Sequence, residues 1–224
     1  AFVMLHKLRA GMVRPEREAI GGTHPVEVDE CLVGGRTRGE GRGVHHKATV
    51  VGAVEVRRRK DAKDRAAKYR KEHDKGIPVK KLVYAGRLRL CVVSGIPTIG
   101  EMLADPLSGR GAEVLCGFVK ENVLPGSVVR TDGWIGYRNL PALGYKHKLL
   151  VLGGDAEKTD GHLPMIHLVF NNLKTWLQGT HHGVSQQHLQ AYLNEYVFRF
   201  NRRFYPMTAF NSILGLAARA EAPT

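Results

Sequence analysis

Apolar residues in the stretch 162–203, HLPMIHLVFNNLKTWLQGTHHGVSQQHLQAYLNEYVFRFNRR, recur with the period of an α-helix. Ile166, Val169, Phe170, Leu173 and Leu177 fall at i, i+3, i+4, i+7 and i+11, a core-facing stripe. His167, Asn171, Lys174 and Gln178 fall at i, i+4, i+7 and i+11, so a polar stripe runs beside it. Pro164 suits the opening turn, where its missing N–H costs nothing. After a Gly/His-rich turn, Ser185 reads as the N-cap of a second helix over 185–203. Leu189, Tyr192, Leu193, Tyr196, Val197 and Phe200 line one face of that helix. A short helix over 206–217 closes the core.

Upstream the period shortens to that of strands. Over 24–33, Val26, Val28 and Leu32 alternate with Glu27, Asp29 and Cys31, so Asp29 and Glu30 point to opposite faces of a regular strand. Residues 47–56, KATVVGAVEV, are nearly continuously apolar, as a central strand requires. Over 82–93, Leu88, Leu90 and Val92 alternate with Arg87, Arg89 and Cys91. A helix over 111–123 turns Val114, Leu115, Phe118 and Val119 inward. A strand over 127–132, a short helix over 137–143 and a strand over 146–152 follow. Residues 1–12 read as a short helix, followed by a charged linker with Pro15 and a Gly21-Gly22 break.

The order β-β-β-α-β-α-β-α predicts an α/β (α+β) ribonuclease-H-like fold. It is a five-stranded mixed sheet, a three-strand meander plus two strands, with helices on both faces. Residues 1–23 read as a helical lead-in and linker, and 24–224 as one ribonuclease-H-like domain, with a basic insertion at 58–81 and C-terminal helices over 185–217. The basic segment 34–46 lacks a GxxxxGK[ST] pattern and reads as a hairpin connection rather than a phosphate loop.

Charge adds what periodicity does not. Thirty-four Lys and Arg against twenty-one Asp and Glu give +13, a field that attracts polyanions, nucleic acid first among them. Cys31, Cys91 and Cys116 are odd in number and lack CxxC spacing. They are neither a disulfide framework nor a zinc ribbon, which points to a reducing cytosol. No apolar run approaches ~18 residues, and no basic amphipathic helix presents a clean apolar face, so a membrane is not the expected partner. The start at Ala1 suggests a longer protein that was trimmed. No helix-turn-helix or zinc finger is visible, so base readout is expected from a missing N-terminal module.

In such a fold, acidic residues on the first strand and at the end of the fourth face a residue on the following long helix. Asp29, Asp132 and His167, 35 positions beyond Asp132, occupy those places. Two-metal phosphoryl transfer needs carboxylates converging on two divalent ions about 3.5–4 Å apart. Magnesium and manganese take oxygen ligands, hence Asp and Glu.

The motifs VEVDE (26–30) with the following Gly-Gly, VVGAVEVR (50–57), ENVLPGSVVRTDGWIGY (121–137), GYKH (144–147) and the whole of 162–203 resemble the ISXO-type insertion-sequence transposases of bacteria. These belong to the DDE transposase and retroviral-integrase-like superfamily. The resemblance spans about 24–215, and its most specific part is the ungapped block NLKTWLQGTHHGVSQQHLQAYLNEYVFRFNRR. It implies metal-dependent cleavage and strand transfer at insertion-sequence DNA ends, with Mg2+ or Mn2+, by a homo-oligomer in the bacterial cytoplasm near the nucleoid. Residue by residue, the resemblance makes Asp29 the first acid and Asp132, in TDGW, the second. The third slot, seven residues before Lys174, holds His167 where related groups have Glu. A neutral imidazole ligates manganese or zinc and is a poorer partner for magnesium, so His167 either binds one ion or holds a water or phosphate. Asn171 lies close to His167 on the helical wheel. Asn172 is about 140° away but falls in the block that best resembles the family.

Lys174 is placed to meet a DNA phosphate as a point charge. His181 and His182 read as turn residues or phosphate contacts, and Arg199, Arg202 and Arg203 as a DNA-backbone patch rather than a solvated helix end. His162, His181, His182 and His188 fit no closed zinc site. Glu30 is a candidate to assist Asp29 but, as its strand neighbour, is expected to face away from it; Trp134 is expected to act as a packing lid, with stacking on a flipped base as the alternative. The expected function is that of a DDE-type transposase catalytic domain. A catalytically silent DNA-binding descendant and a generic ribonuclease-H-like nuclease are the alternatives.

Overall fold

The computed structural model describes residues 2–13, 17–34, 47–59, 82–93, 110–149 and 163–217. Strands β1 (Val26–Val33), β2 (Ala48–Arg58), β3 (Val83–Val93), β4 (Val128–Thr131) and β5 (Lys146–Leu149) form one sheet in the order β3-β2-β1-β4-β5. The pairs β1–β2 and β2–β3 are antiparallel, as a meander requires, while β1–β4 and β4–β5 are parallel. The helices are α1 (Phe2–Gly11), α2 (Arg110–Asn122), α3 (Pro164–His181), α4 (Gln186–Arg202) and α5 (Met207–Ala217). The architecture is the mixed ribonuclease-H-like sheet predicted from the element order.

Alternation along the central strands divides the core in two. Val50, Val54, Leu88 and Leu90 pack on one face against Ile166, Val169, Phe170 and Leu173 of α3 and Leu189 and Leu193 of α4. Val26, Val28, Val51 and Ala53 pack on the other against Leu115, Phe118 and Val119 of α2, with Tyr137 and Leu140 beside them. The strand read as continuously apolar is the buried second strand, flanked on both sides by partners.

Four local expectations change. The helix expected over 137–143 is a single 3-10 turn, Ile135–Tyr137, followed by turns closed by short-range bonds such as Leu143 N–H to the Leu140 carbonyl at 3.1 Å. Pro141 explains this: it has no N–H to donate and biases Leu140 away from the helical region. Ser185 occupies the N-cap position of α4 with extended backbone, but its hydroxyl makes no capping bond; the residue is exposed. The expected linker is packed: Ile20 is fully buried and bridges to Val123. Strand β2 also runs on through Arg58, so the charged insertion begins as strand. The rest of that insertion (60–81), the loop residues 35–46, residues 150–152 and His162 lie outside the described residues.

Two features set the spacing of these layers. Gly52 of β2 faces α3, and a Cβ there would lie 2.9 Å from both Ile166 Cδ1 and Phe170 Cε1, and 3.0 Å from Leu90 Cδ2. Gly52 is also the register partner of Asp29, so α3 closes on the sheet at the level of that carboxylate. On the other face Glu55, fully buried at a β-bulge, accepts hydrogen bonds from Gly21 N, Arg87 N, Arg87 Nε and Arg57 Nε at 2.8–3.2 Å. Burial alone would raise this carboxyl, but the bonds from Arg87, Gly21 and Arg57 overcome it and hold the pKa down at about 2.

Gly52→Val is expected to cost about 1–3 kcal/mol by overpacking. Gly117→Ala is expected to raise stability by roughly 0.5–1 kcal/mol, because a helical Cβ there meets nothing within 4 Å; urea unfolding of both variants measures this. Because the Glu55 pKa is depressed in the folded state, its stabilisation is complete above about pH 4.5 and is lost as the pH falls towards 2. Glu55→Gln should therefore be less stable at neutral pH and lose less stability across that acid window, read from unfolding curves at a series of pH values.

Candidate active site

The parallel pair β1–β4 places two acids side by side. Asp29 lies midway along β1, and Asp132 follows directly on the last residue of β4. Trp134 N–H donates to Asp132 Oδ1 at 3.1 Å, closing a tight turn that fixes the carboxylate. The side chains of Asp29 and His167 are 13% and 20% exposed, and His167 Nε2 meets Asp29 Oδ2 at 3.0 Å. An ionised carboxylate only accepts, so Nε2 carries the proton in this bond. The second oxygen of Asp29 accepts from Glu30 N–H at 2.9 Å.

Helix α3 reaches this position because β1 holds its first turn. Its N-cap residue is Leu163, which has no side-chain acceptor, and the helix contains no acidic residue in its first turn. Glu27, two residues before Asp29 on the same face of β1, supplies what is missing: Oε2 accepts from Met165 N at 2.8 Å and Ile166 N at 3.0 Å. A carboxylate there satisfies orphan donors and complements the positive end of the helix dipole. Glu27 is fully buried and its Oε1 has no hydrogen-bond partner among the described residues; burial pushes the carboxyl up, against the bonds from Ile166 and Met165. His167 follows one residue later and so falls opposite Asp29.

Glu30 does not face away. Ligand oxygens of Asp29, Glu30 and Asp132 all lie within 4.8 Å of one another, the one group of three or more metal-capable side chains among the described residues. Burial and the neighbouring Asp29 push the Glu30 carboxyl well above the usual range. Burial and Asp29 also raise Asp132, opposed by its bond from Trp134 N–H. The buried Tyr137 hydroxyl donates to Glu30 Oε2 at 2.6 Å, and the Trp134 ring meets the Tyr137 ring edge to face.

A model of the ISXO2-like transposase domain matches residues 20–201. The chain belongs to that transposase family. No curated protein and no solved structure matches it. The matched span runs from buried Ile20 nearly to the end of α4 and so takes in every strand and every residue of the carboxylate group.

The remaining predicted residues of this transposase domain are spread along α3 and α4. Asn171, Asn172 and Lys174 are exposed on α3, and Lys174 acts on the Cys31 thiol of β1, which burial raises to about 12. His181 is a packing residue, its ring edge-on to Trp176 and Tyr192 with centroids 4.8 and 4.6 Å away, and burial lowers its pKa. His182 is exposed at the left-handed C-cap of α3. Arg199 is exposed and within 3.3 Å of Glu195. Arg202 lies over the Phe198 ring. Arg203 lies over Phe200 and donates to the Phe200 and Ala85 carbonyls, so its guanidinium is spent on the protein rather than offered to solvent. The His188 ring meets that of His6 at a tilt, with centroids 4.9 Å apart.

Sequence reasoning missed Glu27 and Tyr137, and set Glu30 aside because strand parity turns it from Asp29. The available signal for Glu27 was a Pro-led helix with Leu163 at its cap, which leaves N–H groups needing an acceptor from elsewhere. Glu27→Ala should destabilise the domain by roughly 1–3 kcal/mol per buried N–H left unpaired, whereas Glu27→Gln keeps the acceptor and stays much nearer the parent. Denaturant unfolding of the two variants separates these outcomes.

Proposed function

We propose that this transposase domain cleaves DNA and transfers strands at the group around Asp29 and Asp132, with Mg2+ or Mn2+ as cofactor. The observation that carries this reading is the convergence of carboxylates from β1 and the end of β4 to within 4.8 Å. An all-oxygen donor set suits a hard divalent cation, and crowded carboxylates of raised pKa favour a site where positive charge is supplied. Asp29 and Asp132 would hold the metal, which when bound polarises the scissile phosphate and makes a water or a 3′-hydroxyl a competent nucleophile.

The chain's own residues do the positioning. Asp132 is oriented by Trp134 N–H, and Asp29 by His167 and by the Glu30 N–H. Lys174, exposed on the same helix as His167, is placed to neutralise a backbone phosphate, and the net charge of +13 draws DNA to the domain. In cleavage a P–O bond forms to the attacking water oxygen as the bond to the 3′-oxygen breaks. In strand transfer that 3′-hydroxyl attacks a target phosphodiester: a bond from its oxygen to the target phosphorus forms as the bond to the target 3′-oxygen breaks. The displaced oxygen leaves as a 3′-hydroxyl on taking up the proton lost by the attacking hydroxyl. No described helix is long and apolar enough to cross a membrane.

The test is nicking and strand transfer on duplex oligonucleotides carrying the element's ends, with either metal, against matched RNA–DNA hybrids. Duplex DNA should be the substrate. Asp29→Asn and Asp132→Asn should each lose more than the ~10–100-fold typical of removing a ligand's supporting partner, and His167→Ala should fall within that range. Activity that survives both aspartate substitutions would overturn the assignment, and preference for the hybrid would make the protein a ribonuclease-H-type nuclease.

A further inference from the structure

We infer that Glu30 is the third metal-binding carboxylate of this domain, contributed by β1 itself rather than by α3, with Tyr137 as its positioning residue. The inference rests on the metal-dependent reading above. From Pro164 to His181 helix α3 contains no Asp or Glu at all, so it has no carboxylate to contribute. The side chain it does present, His167, has its Nε2 engaged with Asp29 Oδ2. Two aspartates alone balance only half the charge of a pair of divalent ions, and a hard cation takes oxygen in preference to imidazole nitrogen. The oxygen ligand has to come from elsewhere, and Glu30 is already within 4.8 Å of both aspartates.

Strand geometry explains how neighbours of opposite parity meet. The ladder between β1 and β4 covers only Val26–Val129 and Glu27–Arg130, and β4 ends at Thr131. Beyond Glu27, β1 has no ladder partner on that flank among the described residues. A side chain rising from each face can therefore turn round the open edge towards Asp132. Asp29 does so from the α3 face. Glu30 does so from the opposite face, where the fully buried Tyr137 donates to Oε2 at 2.6 Å. Tyr137 is itself fixed by the 3-10 turn that follows Asp132, so the segment that carries the second aspartate also aims the third acid.

Calorimetric titration of the full chain with Mn2+, without DNA, reads this directly. Melting temperature in chelator reports the fold, and its rise on adding Mn2+ gives a second binding readout. Glu30→Gln, which keeps an acceptor for Tyr137, should bind Mn2+ at least tenfold more weakly and melt in chelator no lower than the parent. Tyr137→Phe, which leaves the carboxylate but frees it, should weaken binding to a lesser degree. It also carries the test if the Glu30 variant does not fold. Parent-like Mn2+ affinity in Glu30→Gln, with Asp29→Asn and Asp132→Asn both impaired, overturns the role of Glu30 and leaves the site intact, whereas parent-like affinity in Tyr137→Phe overturns the positioning role of Tyr137. Parent-like affinity in all four variants overturns the site as well.

Discussion

One buried carboxylate sets the relation between sheet and helix on which the site depends. Glu27 lies in the middle of the core and receives the first two free N–H groups of α3. A helix start inside a protein has donors that must be satisfied, and Leu163 cannot satisfy them. With the acceptor on β1, the axial position and rotation of α3 relative to that strand are determined together. Two residues along β1 and one residue along α3, Asp29 and His167 then meet at hydrogen-bond distance. Gly52 permits the same approach from the packing side, since any side chain there would push Ile166 and Phe170 away from the sheet.

The resulting site is asymmetric in charge. Three carboxylates crowd one edge of β1, while the helix that faces them carries His167 and Lys174 and no acid. Burial first, and the neighbouring charge of Asp29 after it, raise the carboxyls of Glu30 and Asp132, a cost that a cation would offset. The imidazole offsets part of it by bonding Asp29. An acid in its place would add a fourth negative charge to the same cleft, so the histidine is consistent with a site whose carboxylates already come from the strands.

The basic character of the chain is put to more than one use. Arg87 and Arg57 neutralise Glu55 and tie the bulge of β2 to β3, and Arg203 bridges α4 to the Ala85 carbonyl. Arg9 pairs with Glu195 and covers Tyr192, which docks α1 on α4. A sum of charges cannot separate these structural cations from exposed ones such as Lys174 and Arg199.

Local pattern determined the strands, the long helices and their order, and with them the mixed sheet, because apolar period reports which face each element buries; it overran at the turn after Asp132 and stopped β2 short. The same pattern, with the motifs around VEVDE and TDGW, was enough to single out Asp29, Asp132 and the polar stripe of α3 through His167. What it could not supply were contacts that depend on where another element stops. Strand parity sends Glu30 away from Asp29, and only the early end of β4 lets it return. Tyr137 becomes its partner from the 3-10 turn that follows Asp132, and Glu27 becomes a cap because a helix distant in sequence arrives without one. Each of these depends on long-range pairing and termination, which the tertiary structure alone decides.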